Sequence, residues 1–244
     1  MASAHPDPVI RDLEIMSPAV NYSRWIYSQF EGAYGRRVVE CGAGIGNFTR
    51  WLLDRELVIP LDIHPPCVDY MRQRFAGAAN VQPRAMDVVG SPDLLQLAEF
   101  TPDTIVCFNV LEHIEDDRAA LRRMYDLLPP GGKLLLLVPA GPWLYGSMDR
   151  RLGHFRRYRR GELAGKLREA GFTIRWLRYM NSVATLPWFV NNRILGHIDE
   201  QPAQVMVFDR LFVPWLRPLE RLIPPLFGLS LITVAEKSVG QNKG

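Results

Sequence analysis

The stretch VVECGAGIGNFT, residues 38–49, decides the fold: β-branched residues run into an acidic residue and then into glycines at 42, 44 and 46. Val38 and Val39, followed by Glu40 and Cys41, predict a short buried strand that the glycines end in a turn. Glycine takes positive φ and lacks the Cβ that would hold a ligand away from the backbone. A strand feeding such a turn is therefore a ligand cradle. A dinucleotide fingerprint counted from Gly42 needs its third glycine at position 47, which is Asn47, so a nicotinamide cofactor is disfavoured. NFTRWLLDR, residues 47–55, reads as the helix after the turn, whose free N–H groups would face an anionic group.

Outward from this turn, strand-like and helix-like runs alternate. ELVIPLDI (56–63) precedes HPPCVDYMRQRFA (64–76), and VQPRAMDV (81–88) follows. DTIVCFNV (103–110) precedes DDRAALRRMYDLL (116–128), and GGKLLLLVPA (131–140), FTIRWLRYM (172–180) and SLITVAEK (230–237) complete the series. Such alternation predicts an α/β, Rossmann-like, mostly parallel sheet of seven strands with helices on both faces. One domain over 1–244 is expected: cap helices in 1–35, a cofactor-binding core in 36–140, and a basic substrate loop with the sixth strand in 141–180. A helical lid or insertion in 181–225 and the last strand in 226–238 complete it. In open α/β sheets ligands sit beyond the carboxyl ends of the strands, where insertions build the substrate side.

Composition narrows the class. Hydrophobic residues are 48% and charged residues 23%, enough apolar material for one sizeable core. A net charge of +3 argues against a general nucleic-acid binder. Cys41, Cys67 and Cys107 lack paired spacing and read as buried free thiols, without a disulfide framework or metal site. The start MASAHPDPVIRDLE lacks a secretory pattern, and Pro and Gly break the apolar runs well short of a membrane span, so a cytoplasmic protein without stable membrane insertion is expected.

The acidic residue followed by G-x-G-x-G, here Glu40, Gly42, Gly44 and Gly46, resembles the signature of the class I S-adenosylmethionine-dependent methyltransferases. Further matches follow in order: Asp62 ending the second strand, Asp87 after the third, FNVLEHIEDD after the fourth, and LLPPGGKLLLLVP at the fifth. The resemblance spans Val38 to Pro139 and implies S-adenosylmethionine as cofactor and a small-molecule acceptor, with O-methylation favoured over N-methylation. It places Gly42, Ala43, Gly44 and Gly46 under the cofactor and gives Asp62 the ribose hydroxyls. Asp87 is assigned to the adenine amino group, and Ile63 and Val88 to the adenine faces, with packing in the core as the alternative for these two apolar residues. Backbone carbonyls of Asn109, Val110 and Leu111 are assigned to the amine. For Asp87, a turn cap is the competing role. Tyr22, Trp25 and Ile26 share a helix face; in relatives such a helix closes over the cofactor, and plain packing on the sheet is the alternative.

On the acceptor side, the Glu-His pair at 112 and 113 resembles one found in several small-molecule methyltransferases, which makes His113 a catalytic candidate. A hydrogen-bonding role at a helix start is its alternative. His154 lies in DRRLGHFRRY, residues 149–158, a pattern similar to one in bacterial methyltransferases of glycan or natural-product pathways. A histidine there can serve as a base near neutral pH. Six arginines lie between Arg150 and Arg160; Arg156, Arg157 and Tyr158 are candidates for holding an anionic acceptor. A solvated basic face with Asp149 and Glu162 as ion partners is the other possibility. The aromatic stretch from Trp188 to Leu222 suits packing on the domain, a homodimer contact, an apolar acceptor pocket or a membrane surface.

Overall fold

The computed structural model describes residues 7–196 and 202–239. Its sheet has seven strands: β1 Arg37–Cys41, β2 Leu57–Asp62, β3 Arg84–Ala85, β4 Thr104–Phe108, β5 Lys133–Pro139, β6 Phe172–Met180 and β7 Ser230–Lys237. Their order is β3-β2-β1-β4-β5-β7-β6. Strands β1 to β5 pair in parallel, and β7 runs antiparallel to both β5 and β6. β3 is shorter than the run 81–88 suggests: Val81 bridges Val58 in parallel, but Pro83 has no N–H to continue the ladder, which resumes at Arg84.

All of β4 and all of β5 but Lys133 are buried, as a sheet covered on both faces requires. Alternate residues feed opposite layers. Val39, Ile105, Leu134 and Leu136 pack with Leu121 and Leu163 on one side. Val38, Val106, Leu135 and Leu137 pack with Trp25, Met71 and Val213 on the other. The covering helices are α1 Pro8–Met16, α2 Val20–Gln29, α3 Pro65–Arg74, α4 Asp117–Leu127, α5 Ser147–Arg151 and α6 Arg160–Glu169. Asp7 caps α1 and Asp116 caps α4 through side-chain bonds to free N–H groups.

The helix expected over 47–55 does not form; a single 3-10 turn, Thr49–Trp51, stands there. Positive φ at Gly42, Gly44 and Gly46 keeps the chain out of helical conformation until residue 46. By Glu56 the backbone is already bonded to Arg36 beside β1. The residues between Gly46 and Glu56 form only that turn and the return to β2, so no helix dipole points at the glycine turn.

Between β6 and β7 lie α7 Thr185–Trp188, α8 Pro202–Val207 and α9 Val213–Leu222, with π-helical segments at Phe189–Ile194 and Phe208–Phe212. α9 buries Val213 and Leu216, while Trp215 and Leu222 on its outer face are 78% and 81% exposed. Among the described residues, no helix is long and apolar enough to cross a membrane. Cys41, Cys67 and Cys107 are all buried and free, and burial raises each thiol pKa.

Candidate active site

The glycine turn leaves β1 at its carboxyl end, beside the end of β2. A Cβ on Gly42 would lie 2.3 Å from Val110 Cγ2, and one on Gly46 2.4 Å from Phe75 Cε2. Asp62 fixes the turn from β2: Oδ2 accepts the Gly44 N–H at 2.7 Å and Oδ1 the His64 N–H at 2.9 Å. Glu40 is buried below, accepting the Thr49 hydroxyl at 2.6 Å. Burial pushes its carboxyl up to about 7, against the Thr49 bond that lowers it and with Asp62 adding to the rise. The turn is thus backbone held close against Val110 and Phe75 with the Asp62 carboxylate beside it, and a carboxylate there fits an adenosine cofactor with ribose hydroxyls to donate.

The other cofactor candidates divide. Ile63 is exposed beside Asp62, whereas Val88 is buried in the core with Leu94 and Leu97, so its side chain offers no surface to adenine. Asp87 is exposed at a turn, accepting the Val89 N–H at 2.9 Å while its own N–H donates to Ser91 Oγ. Ala43 is buried and donates its N–H to the Leu61 carbonyl at 2.8 Å. Asn109 stands exposed at φ +53°, where its backbone turns away from β4. The Val110 carbonyl accepts the His113 N–H at 2.9 Å, and the Leu111 carbonyl accepts the Tyr158 hydroxyl at 3.2 Å. The Leu111 side chain itself is part of the core.

Tyr22 is half-buried on α2 with its ring edge on Trp25, and its N–H donates to Asp209 Oδ1 at 2.7 Å. Nearer the turn is α1, one of the cap helices expected in 1–35, whose Leu13 the sequence did not single out. Leu13 Cδ1 would lie 2.9 Å from a Cβ on Gly44, Asn47 Nδ2 donates to the Leu13 carbonyl at 3.1 Å, and His64 Nε2 meets Asp7 Oδ2 at 2.8 Å. Leu13 lies in VIRDLEIM, an unremarkable amphipathic run; only its contact with the turn marks it.

Past β4 a 3-10 turn, Leu111–His113, presents Glu112 and His113. The loop after α5 runs back along the end of β5, with Ala140 bridged to Tyr158, and the Phe155 N–H donates to the Glu112 carbonyl at 2.8 Å. His154 is thereby brought to Glu112 and His113. Its Nδ1 lies 2.8 Å from Asp149 Oδ1, its Nε2 4.0 Å from Glu112 Oε1, and its ring 4.6 Å from that of His113, nearly perpendicular. Burial would raise the Asp149 pKa, but His154, Arg157 and the Gly146 N–H together hold it below the usual carboxylate range. The Glu112 side chain is wholly buried, with no hydrogen-bond partner on either oxygen among the described residues, and burial raises its pKa to about 8. Burial of its ring, then the neighbouring His154, lowers His113 to about 4. One ligand-type atom from each of Glu112, His113 and His154 lies within 4.8 Å of the others.

The arginine-rich loop is not the open anion clamp the sequence suggests. Arg157 is buried, donates from Nε to Asp149 Oδ1 at 2.8 Å, and has its guanidinium 4.8 Å from the centre of the Trp188 ring. Tyr158 is fully buried, its hydroxyl donating to Asp117 Oδ2 at 2.9 Å. Arg156 lies partly open but pairs with Asp117 at 3.0 Å and donates to the Glu115 carbonyl. These groups are spent on the chain's own acids, because folding the loop onto β5 buries it and a buried cation must be paired. An open apolar groove lies on the same edge of the sheet, between Trp143, Val183, Leu186, Phe189 and Phe227.

A family model described as "Methyltransferase domain" matches residues 21–176. A protein of Mycolicibacterium smegmatis named "Probable S-adenosylmethionine-dependent methyltransferase" is 30% identical over 143 residues, which cover 57% of this chain and 53% of that protein. The chain spans about half the length of the curated relatives it matches first. Among solved structures, an S-adenosylmethionine-dependent methyltransferase from Mesorhizobium loti aligns with a TM-score of 0.58 at 17% identity, over 88% of this chain and 97% of that one. The [4+2]-cyclase SpnF aligns with a TM-score of 0.60 at 18% identity, over 91% of this chain and 82% of that one. At these identities the structural matches speak for the fold, whereas the family match covers most of the chain, from the N-terminal helix that carries Tyr22 into β6. With the glycine turn, Asp62 and the strand order in place, the chain belongs to the S-adenosylmethionine-dependent methyltransferase family and has its class I, Rossmann-like fold.

Proposed function

We propose that this protein transfers a methyl group from S-adenosylmethionine to a small molecule, with a hydroxyl oxygen as the favoured acceptor atom. The observation that carries the transfer is the Asp62-braced glycine turn at the carboxyl end of β1, packed so closely against Val110, Leu13 and Phe75 that a Cβ on any of its three glycines would clash. The chemistry such a cofactor supplies is an electrophilic methyl carbon on a sulfonium. Asp62 would accept the ribose hydroxyls, and Leu13 and Tyr22 would exclude water from above. Alignment of the acceptor supplies much of the rate, roughly 7–11 kcal/mol in favourable cases. The Glu112–His113–His154 cluster at the end of β4 favours oxygen over nitrogen, because a hydroxyl must lose its proton and a free amine need not. The apolar groove suits an acceptor with an apolar body, such as a natural-product or lipid-linked intermediate.

The test is incubation with S-adenosylmethionine and a panel of hydroxylated and aminated acceptors, read by mass spectrometry. A product heavier by one methylene, with release of S-adenosylhomocysteine, is expected from the wild type and not from Asp62→Ala. His113→Ala and His154→Ala should slow turnover while cofactor binding persists. A product of unchanged mass would replace transfer by rearrangement, such as cyclisation, and a preference for amines would overturn the oxygen assignment.

A further inference from the structure

Glu112 is the unexplained group of the acceptor side. Folded proteins rarely leave a buried polar atom without a partner, yet both of its carboxylate oxygens are buried and without a hydrogen-bond partner among the described residues. It is not shielded by apolar packing alone: two imidazoles stand against it, and one ligand-type atom from each of the three residues falls within 4.8 Å of the others.

We infer that Glu112, His113 and His154 form a binding site for a divalent first-row transition cation. The donor set supports that class: two imidazole nitrogens and one carboxylate suit zinc, manganese, iron or cobalt, whereas magnesium and calcium take oxygen ligands almost exclusively. The surroundings are those of a built site. His154 Nδ1 is held by Asp149 Oδ1 at 2.8 Å, which turns Nε2 toward Glu112, the carboxylate–histidine arrangement that orients metal-binding imidazoles. Asp149 is itself fixed by the Gly146 N–H at 2.9 Å and by Arg157 Nε at 2.8 Å. Glu112 is tied through its carbonyl to the Phe155 N–H, next in the chain to His154. The His154 Nε2 to Glu112 Oε1 distance is 4.0 Å; ligands about 2.1 Å from a shared tetrahedral ion lie about 3.4 Å apart, so this pair closes by roughly 0.6 Å and any pair of the three, all within 4.8 Å, by at most about 1.4 Å.

His113 is the most accessible of the three residues, so coordination positions on its side are the ones an acceptor could reach. A cation there would take the acceptor hydroxyl and favour its ionised form. That consequence rests on the methyl-transfer reading above; cation binding does not, and the two can fail separately.

The test is calorimetric titration of the full chain, stripped with chelator, with zinc chloride and separately with manganese chloride. Saturation by either ion at one equivalent is expected, with affinity lowered roughly 100-fold or more in Glu112→Gln and in His154→Ala, and roughly 10–100-fold in Asp149→Asn. Glu112→Gln keeps shape and removes charge; unchanged circular dichroism and retained S-adenosylmethionine binding show that it is folded. Anomalous diffraction at the zinc edge should place the ion between the three side chains. Absence of saturable binding, binding unchanged in folded Glu112→Gln, or an ion located elsewhere overturns the proposal. Asp62→Ala separates it from the methyl-transfer reading, since that variant should lose cofactor affinity and keep zinc affinity.

Discussion

Asp62 braces the glycine turn by accepting two backbone N–H groups, and in the function proposed above the same carboxylate accepts the cofactor's ribose hydroxyls. Asp62→Ala should therefore weaken S-adenosylmethionine binding by about 1.5–3 kcal/mol, the worth of a charged hydrogen bond; unchanged calorimetric affinity would remove the ribose role. Glu40 makes a pH prediction. Its carboxyl sits at about 7 in the fold against an ordinary 4.5, so the folded state prefers the neutral acid. Its contribution is fully present below 4.5 and is lost as pH rises through about 7. Glu40→Gln, which stays neutral, should match the wild type near pH 4.5 and exceed it by at most about 3 kcal/mol at pH 8. Thermal melts across that range would show a widening gap, and parallel curves would contradict it. Glu40, Gly42 and Asp62 were legible as sequence because the turn dictates them locally. The sequence offered Asp149 only as an ion partner of the arginines and Glu112 only as the neighbour of His113; their meeting with His154 appears once the loop after α5 folds back.

Among the elements, α2 lacks an N-cap of its own, with Ala19 at that position. Its free N–H groups are capped from far along the chain, by Asp209 in the insertion, through Asn21 and Tyr22. Asp209 is buried, and no spacing rule links it to residue 21. Asp209→Ala should cost about 1–2 kcal/mol and raise hydrogen exchange from Asn21 to Ser23 selectively, which peptide-resolved exchange would measure. Asp117 plays a comparable part between α4 and α6. Lys166 at 2.6 Å, Arg156 at 3.0 Å and the Tyr158 hydroxyl at 2.9 Å converge on one of its oxygens. Removing one partner of a buried ion network is strongly destabilising, so Asp117→Ala should cost about 3 kcal/mol in urea denaturation. This network also shows which reading of the arginine-rich loop the fold takes: Arg157 pairs with Asp149, one of the ion partners the sequence offered, and Arg156 with Asp117 on α4.

For the whole molecule, the glycine turn is covered by α1, and the insertion between β6 and β7 is joined to α2. The two terminal thirds of the chain thus meet over the central core. Cofactor binding should be felt across that join. S-adenosylmethionine at one hundred times its dissociation constant should add about 2.7 kcal/mol to stability, and the slowing of exchange should extend from residues 42–46 into α1. Protection confined to the glycine turn would show that α1 is not part of the site. By itself the sequence determined the seven strands, the glycine turn after β1, the buried thiols and the family, because strand periodicity, turn chemistry and a five-part motif are each set by near neighbours in the chain. Only the tertiary structure decided that no helix follows the turn, that Val88, Leu111, Arg157 and Tyr158 face inward, and that Glu112, His113 and His154 come together. Those outcomes depend on how a short crossover and a folded-back loop fill space against β4 and β5, and on the rule that buried charge must find its partner wherever in the chain that partner lies.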